Sequence, residues 1–339
     1  MAVVDEVADE ASQDALRQSL QRAQAQLARE KSRSEMLREA MAASIRDALA
    51  AAGPLPPIPG PPRDKRRKRA GEVALLHMTD WQGSKRTTSY DTQVMHRRVR
   101  RYLEVVDEIV EIQRADHPVR RACLAYGGDM VEGLFNFPTQ PFEIDATLHE
   151  QWVTVGQLIA ETVVWALSRF EWVDVVAEWG NHGRIGSKRA TVPGSDNFDR
   201  MCYTLARKLV GDHPRLRWDD CPEDIQRIEI GEYRALLIHG DEVGRNGFAS
   251  PMTIVRHADR WRSGAYPWPF RDVYMGHYHT HAEWPMANGE GAVYQTGSTE
   301  SDNRYAGVSL AASATPSQRL HFVHPVKGRV TSQHKIYLD

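Results

Sequence analysis

The chain has 339 residues, 41% of them hydrophobic and 26% charged, enough to bury a sizeable core in one large or two ordinary domains. Its formal net charge of -2 argues against a uniformly basic nucleic-acid binder, although a total conceals its distribution. No run approaches the roughly 18 apolar residues of a membrane-spanning helix, the acidic start lacks the apolar stretch of a signal peptide, and three cysteines without a CxxC pair argue against a disulfide framework or a cysteine zinc knot. A reducing, cytoplasmic setting is the expectation.

Residues 1–52 contain neither Gly nor Pro. Leu16, Leu20 and Leu27, then Leu37, Met41, Ile45 and Leu49, form an apolar stripe at helical spacing. Ser34 interrupts the heptad, so the helix either oligomerises as a coiled coil or docks on its own domain. Residues 53–70 read as a linker, with dense proline favouring extended polyproline II. Its end, residues 63–69, holds six bases and one acid, which suits a solvated linker end or a phosphate-backbone contact. Residues 1–52 carry -2 and the rest of the chain -5, so an acidic body adjoins a basic segment.

From residue 71 to 339 the pattern is α/β, in one domain. Apolar runs predict buried strands at 73–78, 122–126 and 172–177. Helical spacing predicts helices at about 90–115, 148–170 and 198–210, the last capped by Ser195 or Asp196. Gly231-Glu232 separates two runs, 225–230 and 233–238, that read as a hairpin. Further strands are expected at 272–275 and 292–295, and no internal repeat is visible.

Polar residues recur just after successive strands: Asp80-Trp81-Gln82, Gly128-Asp129, Gly180-Asn181-His182-Gly183, His239-Gly240-Asp241 and Gly276-His277-Tyr278-His279. The C-terminal edge of an open α/β sheet is where ligands bind. Each motif alone is commonplace in turns, but the ordered set is specific. Oxygen and imidazole donors together suit divalent transition metals such as Mn²⁺, Fe²⁺ or Zn²⁺.

This order resembles the calcineurin-like metallophosphoesterases, whose pattern is D-x-H, G-D, G-N-H-[DE], a His, then G-H-x-H. The resemblance spans residues 73–298, with Gly297-Ser298 similar to the family's closing turn. It implies a β-sandwich flanked by helices, with two divalent metal ions at the strand ends. Asp80, Asp129 and His279 would hold the first ion. Asp129, Asn181, His239 and His277 would hold the second, with Asp129 bridging. Two ions about 3.5–4 Å apart grip the attacking and leaving oxygens of an in-line phosphoryl displacement and supply hydroxide to attack phosphorus. His182 is then placed as the catalytic residue that stabilises charge or protonates the leaving oxygen.

Two positions depart from the pattern. Gln82 stands where the family has His, offering a neutral carbonyl oxygen to the first ion and favouring Mn²⁺ or Mg²⁺. Gly183 stands where an acid usually orients the catalytic His, leaving Asp241 as the expected substitute. Substrate contacts are expected from Arg184 and Lys188, with Lys85, Arg86 and Arg189 nearby and Arg97, Arg98, Arg100 and Arg101 on the first helix. Trp261 and Trp268, within an Arg- and aromatic-rich loop, either stack on bases or pack on the domain. The leading expectation is a phosphodiesterase or nuclease acting on DNA, similar to SbcCD-type nuclease subunits or small phage-type relatives. Hydrolysis of small phosphoesters and a non-catalytic scaffold are the alternatives.

Overall fold

The computed structural model describes residues 2–53, 55–61, 71–185, 196–219, 223, 225–243, 249–302 and 315–339. The basic segment 63–69, Lys188, Arg189 and Cys221 lie outside the described residues. The chain divides into two units, Met1–Ala48 and Leu49–Asp339. Helix α1 (Ala2–Ala52) is continuous, as its lack of Gly and Pro predicts. On it, Leu20 and Leu27 are exposed. Among the described residues no helix is long and apolar enough to cross a membrane.

The second unit is mixed α/β, two sheets flanked by helices. Its elements are β1 (Glu72–Met78), α2 (Thr92–Arg114), β2 (Val119–Gly127), α3 (Leu148–Arg169), β3 (Trp172–Glu178), α4 (Phe198–Val210) and β4 (Leu216–Asp219). There follow β5 (Gln226–Ile230), β6 (Tyr233–Leu237), α5 (Pro251–Arg260), β7 (Asp272–Met275), β8 (Ala282–Pro285), β9 (Ala292–Gln295), β10 (Ser317–His324) and β11 (Arg329–Tyr337). One sheet has the order β11-β10-β1-β2-β3-β4, the other β5-β6-β7-β9-β8. Within the first, β1 to β4 run parallel, and within the second β6, β7 and β9 do. Parallel pairing places successive strand ends on one edge, which is what gathers the motifs.

The apolar runs explain the layering. Every residue of β1 is buried. Val73 and Leu75 enter a core with Cys123 and Val176 from the same sheet and Ala235, Leu237 and Tyr274 from the other. Alternation turns Ala74 and Leu76 to the opposite face, so a strand covered on both sides reads as continuous hydrophobicity. Helix α2 packs against β2 and β11, and α3 and α4 against β3 and each other. On the far face of the second sheet, α5 contributes Ile254 and Ala258 to a separate core with Leu236 and Val273.

The expected strands, helices and hairpin are present. Helix α4 begins where predicted, but its cap is Asn197, whose side chain accepts from the Asp199 amide, and not Asp196; Ser195 lies outside the described residues. Strand β10 escaped the sequence pattern because Gln318, Arg319 and His321 are buried within it. Arg319 donates to His321 Nε2 (3.0 Å) and to the Gln295 carbonyl (2.8 Å), and His321 Nδ1 meets the Tyr274 hydroxyl at 2.8 Å. Cross-sheet bonds of this kind satisfy polar groups that composition alone would place outside.

Candidate metal centre

Seven non-glycine residues among those described have a left-handed backbone: Asp80, Gln82, Ser84, Asp129, His277, His279 and Asp302. Five of the seven are sequence-predicted metal ligands. That conformation is uncommon for residues with a Cβ, and it persists where surrounding structure fixes it, commonly at functional sites. Here it turns consecutive strand ends so that their side chains converge on one point.

Asp129 is the centre. Its Oδ1 accepts the His182 amide at 2.7 Å, and its Oδ2 lies 3.0 Å from His239 Nε2 and 3.4 Å from Gln82 Nε2. Donor atoms of Asp129, His239 and His277 all fall within 4.8 Å of one another. His239 Nε2 is also 3.2 Å from Asn181 Oδ1, and its ring centroid is 5.1 Å from that of His277. On the other side, Asp80 Oδ1 is 3.3 Å from His279 Nε2, and Gln82 Nε2 is 3.4 Å from the same nitrogen. All seven predicted ligands therefore meet in two groups, and Asp129 touches both.

Supporting bonds fix the rings. His239 Nδ1 lies 2.8 Å from the Gly127 carbonyl and must donate to it, leaving Nε2 for the cluster. Glu300 Oε2 lies 3.0 Å from His279 Nδ1 and plays the same part there. Both Asp80 oxygens accept the His277 amide, at 3.1 and 3.0 Å. Burial opposes charging His279, but Asp80 and Glu300 outweigh it and raise the imidazole to about 10. Burial likewise opposes and Asp129 drives a raised His239. Burial and the neighbouring His239 charge lower His277 to about 4. Asp129 falls well below the carboxylate range because His239 and His182 outweigh its burial.

The donor set fits divalent cations. Carboxylates, imidazole nitrogens and the Asn181 amide oxygen face one another, and a cation replaces the imidazole protons that otherwise link them. Gln82 Oε1 is buried without a hydrogen-bond partner. An amide turned over by 180° would bring that oxygen to the Asp129 and His279 side, as a cation requires.

His182 sits at the rim. Its Nδ1 is 3.2 Å from Glu132 Oε2 and its Nε2 3.8 Å from Asp129 Oδ2. Burial opposes its protonation, but Asp129 and then Glu132 raise it to about 9. Glu132, three residues after Asp129, thus does the orienting work expected of Asp241. Asp241 instead accepts Arg184 Nη2 at 2.5 Å. Lys85 is no phosphate contact either: it is buried, with Nζ 3.1 Å from Glu132 and 2.8 Å from Glu143. Gly183 has a steric reason, since a Cβ there would meet Asn197 Oδ1 at 2.3 Å.

Asp199 was also missed. It accepts the amides of Asp129 (2.9 Å), Met130 (3.0 Å), Val131 (3.2 Å) and Gly180 (2.8 Å), clamping two ligand loops together. Burial and the adjacent Asp129 raise its carboxyl to about 6. The acids at 132, 199 and 300 follow motif residues by short spacings only in part, so Glu132 in Gly128-Asp129-Met130-Val131-Glu132 was the one with a local signal.

Among the predicted substrate residues, Arg184 adjoins His182 and pairs with Asp241, two residues beyond His239. Arg98 is bound to the Thr299 carbonyl (2.6 Å) and Ser301 Oγ (2.9 Å). Trp261 and Trp268 are not brought to the cluster. Both pack against the α5 core, and Arg227 and Arg234 lie 5.7 and 6.0 Å over the Trp268 ring. The loop ends at Arg271, whose amide donates to Arg234 near the start of β6, the end of the sheet opposite His239. Both tryptophans are partly buried on the α5 core.

No family model and no curated protein matches the chain. Solved structures do. A zinc complex of Vps29 from Entamoeba histolytica is 12% identical, with 78% of this chain and 99% of that chain covered and a TM-score of 0.33. A predicted phosphoesterase from Streptococcus pneumoniae is 11% identical over 79% and 99%, with a TM-score of 0.28. The sulfate thiohydrolase SoxB from Thermus thermophilus is 10% identical over 80% and 57%, with a TM-score of 0.33. These are distant likenesses, at identities too low to transfer a residue's role.

Proposed function

We propose that this chain is a calcineurin-like, metal-dependent phosphoester hydrolase, and specifically a phosphodiesterase acting on DNA. The observation that carries the hydrolase reading is the gathering of seven predicted ligands in two groups that share Asp129, five of the seven, Asp129 among them, held in a left-handed backbone. Asp80, Gln82, Asp129 and His279 would hold one divalent cation, and Asp129, Asn181, His239 and His277 the other. Such cations supply an activated water and neutralise charge on the phosphoryl group. Mn²⁺ or Mg²⁺ is favoured because Gln82 brings an amide oxygen where imidazole would select softer metals.

The chain's own residues account for the rest. In the metal-free protein, Asp129 and then Glu132 raise His182 to about 9. Glu132 holds its Nδ1, with the main-chain carbonyl and Oε2 each 3.2 Å away, leaving Nε2 facing the Asp129 side to protonate a leaving oxygen. Arg184, one residue past Gly183 and part-exposed, is the group to hold a non-bridging phosphate oxygen. Helix α1, with Leu20 and Leu27 exposed, is proposed as a homo-oligomer contact, and the setting as cytoplasmic.

A substrate panel tests the reading. Purified protein with Mn²⁺ is given bis-p-nitrophenyl phosphate, the monoester, and labelled single- and double-stranded DNA. Diester and DNA cleavage lost in Asp129→Ala and His182→Ala supports it. Monoester preference would move the activity to small phosphoesters. Absence of all turnover would leave a scaffold, which the neutral donor at Gln82 favours.

A further inference from the structure

Three of the chain's 8 phenylalanines fall within one short loop after the second ligand motif. Phe135, Phe137 and Phe142 are 47%, 44% and 86% exposed. Apolar rings are normally covered, and clustered exposed ones mark a contact surface. Phe137 and Phe135 lie beside the candidate metal centre. Phe137 stands 5.0 Å, centroid to centroid, from the His182 imidazole. Phe135 stacks at 6.2 Å and 25° on Phe198, whose amide donates to the Gly183 carbonyl.

The loop is held, so its rings are preorganised. Asn136 Nδ2 donates to the His182 carbonyl at 3.1 Å and to the Asn181 carbonyl. Gln140 Oε1 accepts the amides of Asn136 (2.9 Å) and Phe137 (3.1 Å), while its Nε2 donates to the Glu132 carbonyl at 2.6 Å. Gly133, at φ 77°, passes so close that a Cβ would meet the His182 carbonyl at 2.1 Å. The loop's polar side chains are thus spent on the turn that bears the catalytic histidine, and its apolar ones face solvent there.

We infer that Phe137 and Phe135 form a stacking platform for the nucleobase beside the scissile phosphate, making single-stranded nucleic acid the substrate class. The inference rests on the phosphodiesterase reading above. A flat ring next to a phosphoryl site fits a nucleobase, because every base offers a π-face whatever its sequence. Within a duplex that face is covered by its neighbours, so an unpaired strand is the one that fits.

Fluorescence anisotropy of the full-length protein, in Ca²⁺ and in chelator, compares labelled oligothymidylate with an abasic oligonucleotide of equal length. Phosphates are the same in both. The wild type is expected to bind oligothymidylate about 5- to 100-fold more tightly than the abasic strand. Phe135→Ala with Phe137→Ala removes the difference, and Phe137→Trp retains it. Both rings are exposed, so neither change threatens folding. Equal affinity for the two strands in the wild type, or an unchanged preference in the double variant, overturns the platform and leaves the rings to a protein partner. Hydrolysis of bis-p-nitrophenyl phosphate by the same samples in Mn²⁺ separates the two claims. A base preference without hydrolysis keeps the platform and removes the phosphodiesterase. Hydrolysis without a base preference does the reverse.

Discussion

Glu132→Gln tests the electrostatics of His182, while also removing the charge that pairs with Lys85. The change keeps size and hydrogen-bonding capacity and removes one charge. In the metal-free protein, Asp129 first and Glu132 second outweigh burial and raise His182 from the ordinary 6.5 to about 9. A rise of that size corresponds to about 3 kcal/mol of folding free energy. Because the folded value is the higher one, this stability is fully present below pH 6.5 and is lost as pH rises through about 9. Glu132 is the second contributor, so His182 in the variant should titrate below the wild-type value of about 9. Imidazole NMR in chelator measures this directly, and urea midpoints between pH 6 and 9 should fall less steeply in the variant. With metal restored, turnover should drop about 10- to 100-fold as the proton donor loses its orientation. A variant His182 still titrating near 9 would refute the assignment of Glu132 as its partner.

Three further outcomes follow from the packing. Asp199→Ala strands four backbone amides, those of Asp129, Met130, Val131 and Gly180, and should destabilise the fold by about 3–5 kcal/mol in urea denaturation. Less than about 1 kcal/mol would mean that water replaces the clamp. Trp268→Ala should cost about 1–3 kcal/mol through lost packing yet leave diester turnover unchanged; an activity loss would bring that loop back to the substrate. Deletion of residues 1–52 should lower the mass found by light scattering, whereas an unchanged mass would sink the oligomerisation role of α1.

The candidate ligands were legible because each stands immediately after an apolar run. The run predicts the strand, the strand's parallel neighbours predict a common edge, and local sequence then places Asp80, Asp129, His239 and His277 on it. What holds those ligands was not legible in the same way. Glu132, Asp199 and Glu300 act on residues brought near only by the fold, at spacings with no helical or strand period. Strand β10 was hidden by Arg319 and His321, whose bonds to Gln295 and Tyr274 cross between sheets. Composition left two readings open for Trp261 and Trp268, base stacking or packing on the domain, and in the structure both lie partly buried on the α5 core. The exposed rings beside His182 belong to Phe135 and Phe137, in a loop whose sequence alone gave them no role.

The most direct test of the central claim is Mn²⁺ titration of metal-free protein, with bound Mn²⁺ and bis-p-nitrophenyl phosphate turnover read in the same samples. The account predicts two equivalents per chain, turnover rising with the second, and loss of both in Asp129→Asn, because that side chain faces both donor groups. Full loading without hydrolysis, or unchanged hydrolysis in Asp129→Asn, would contradict it.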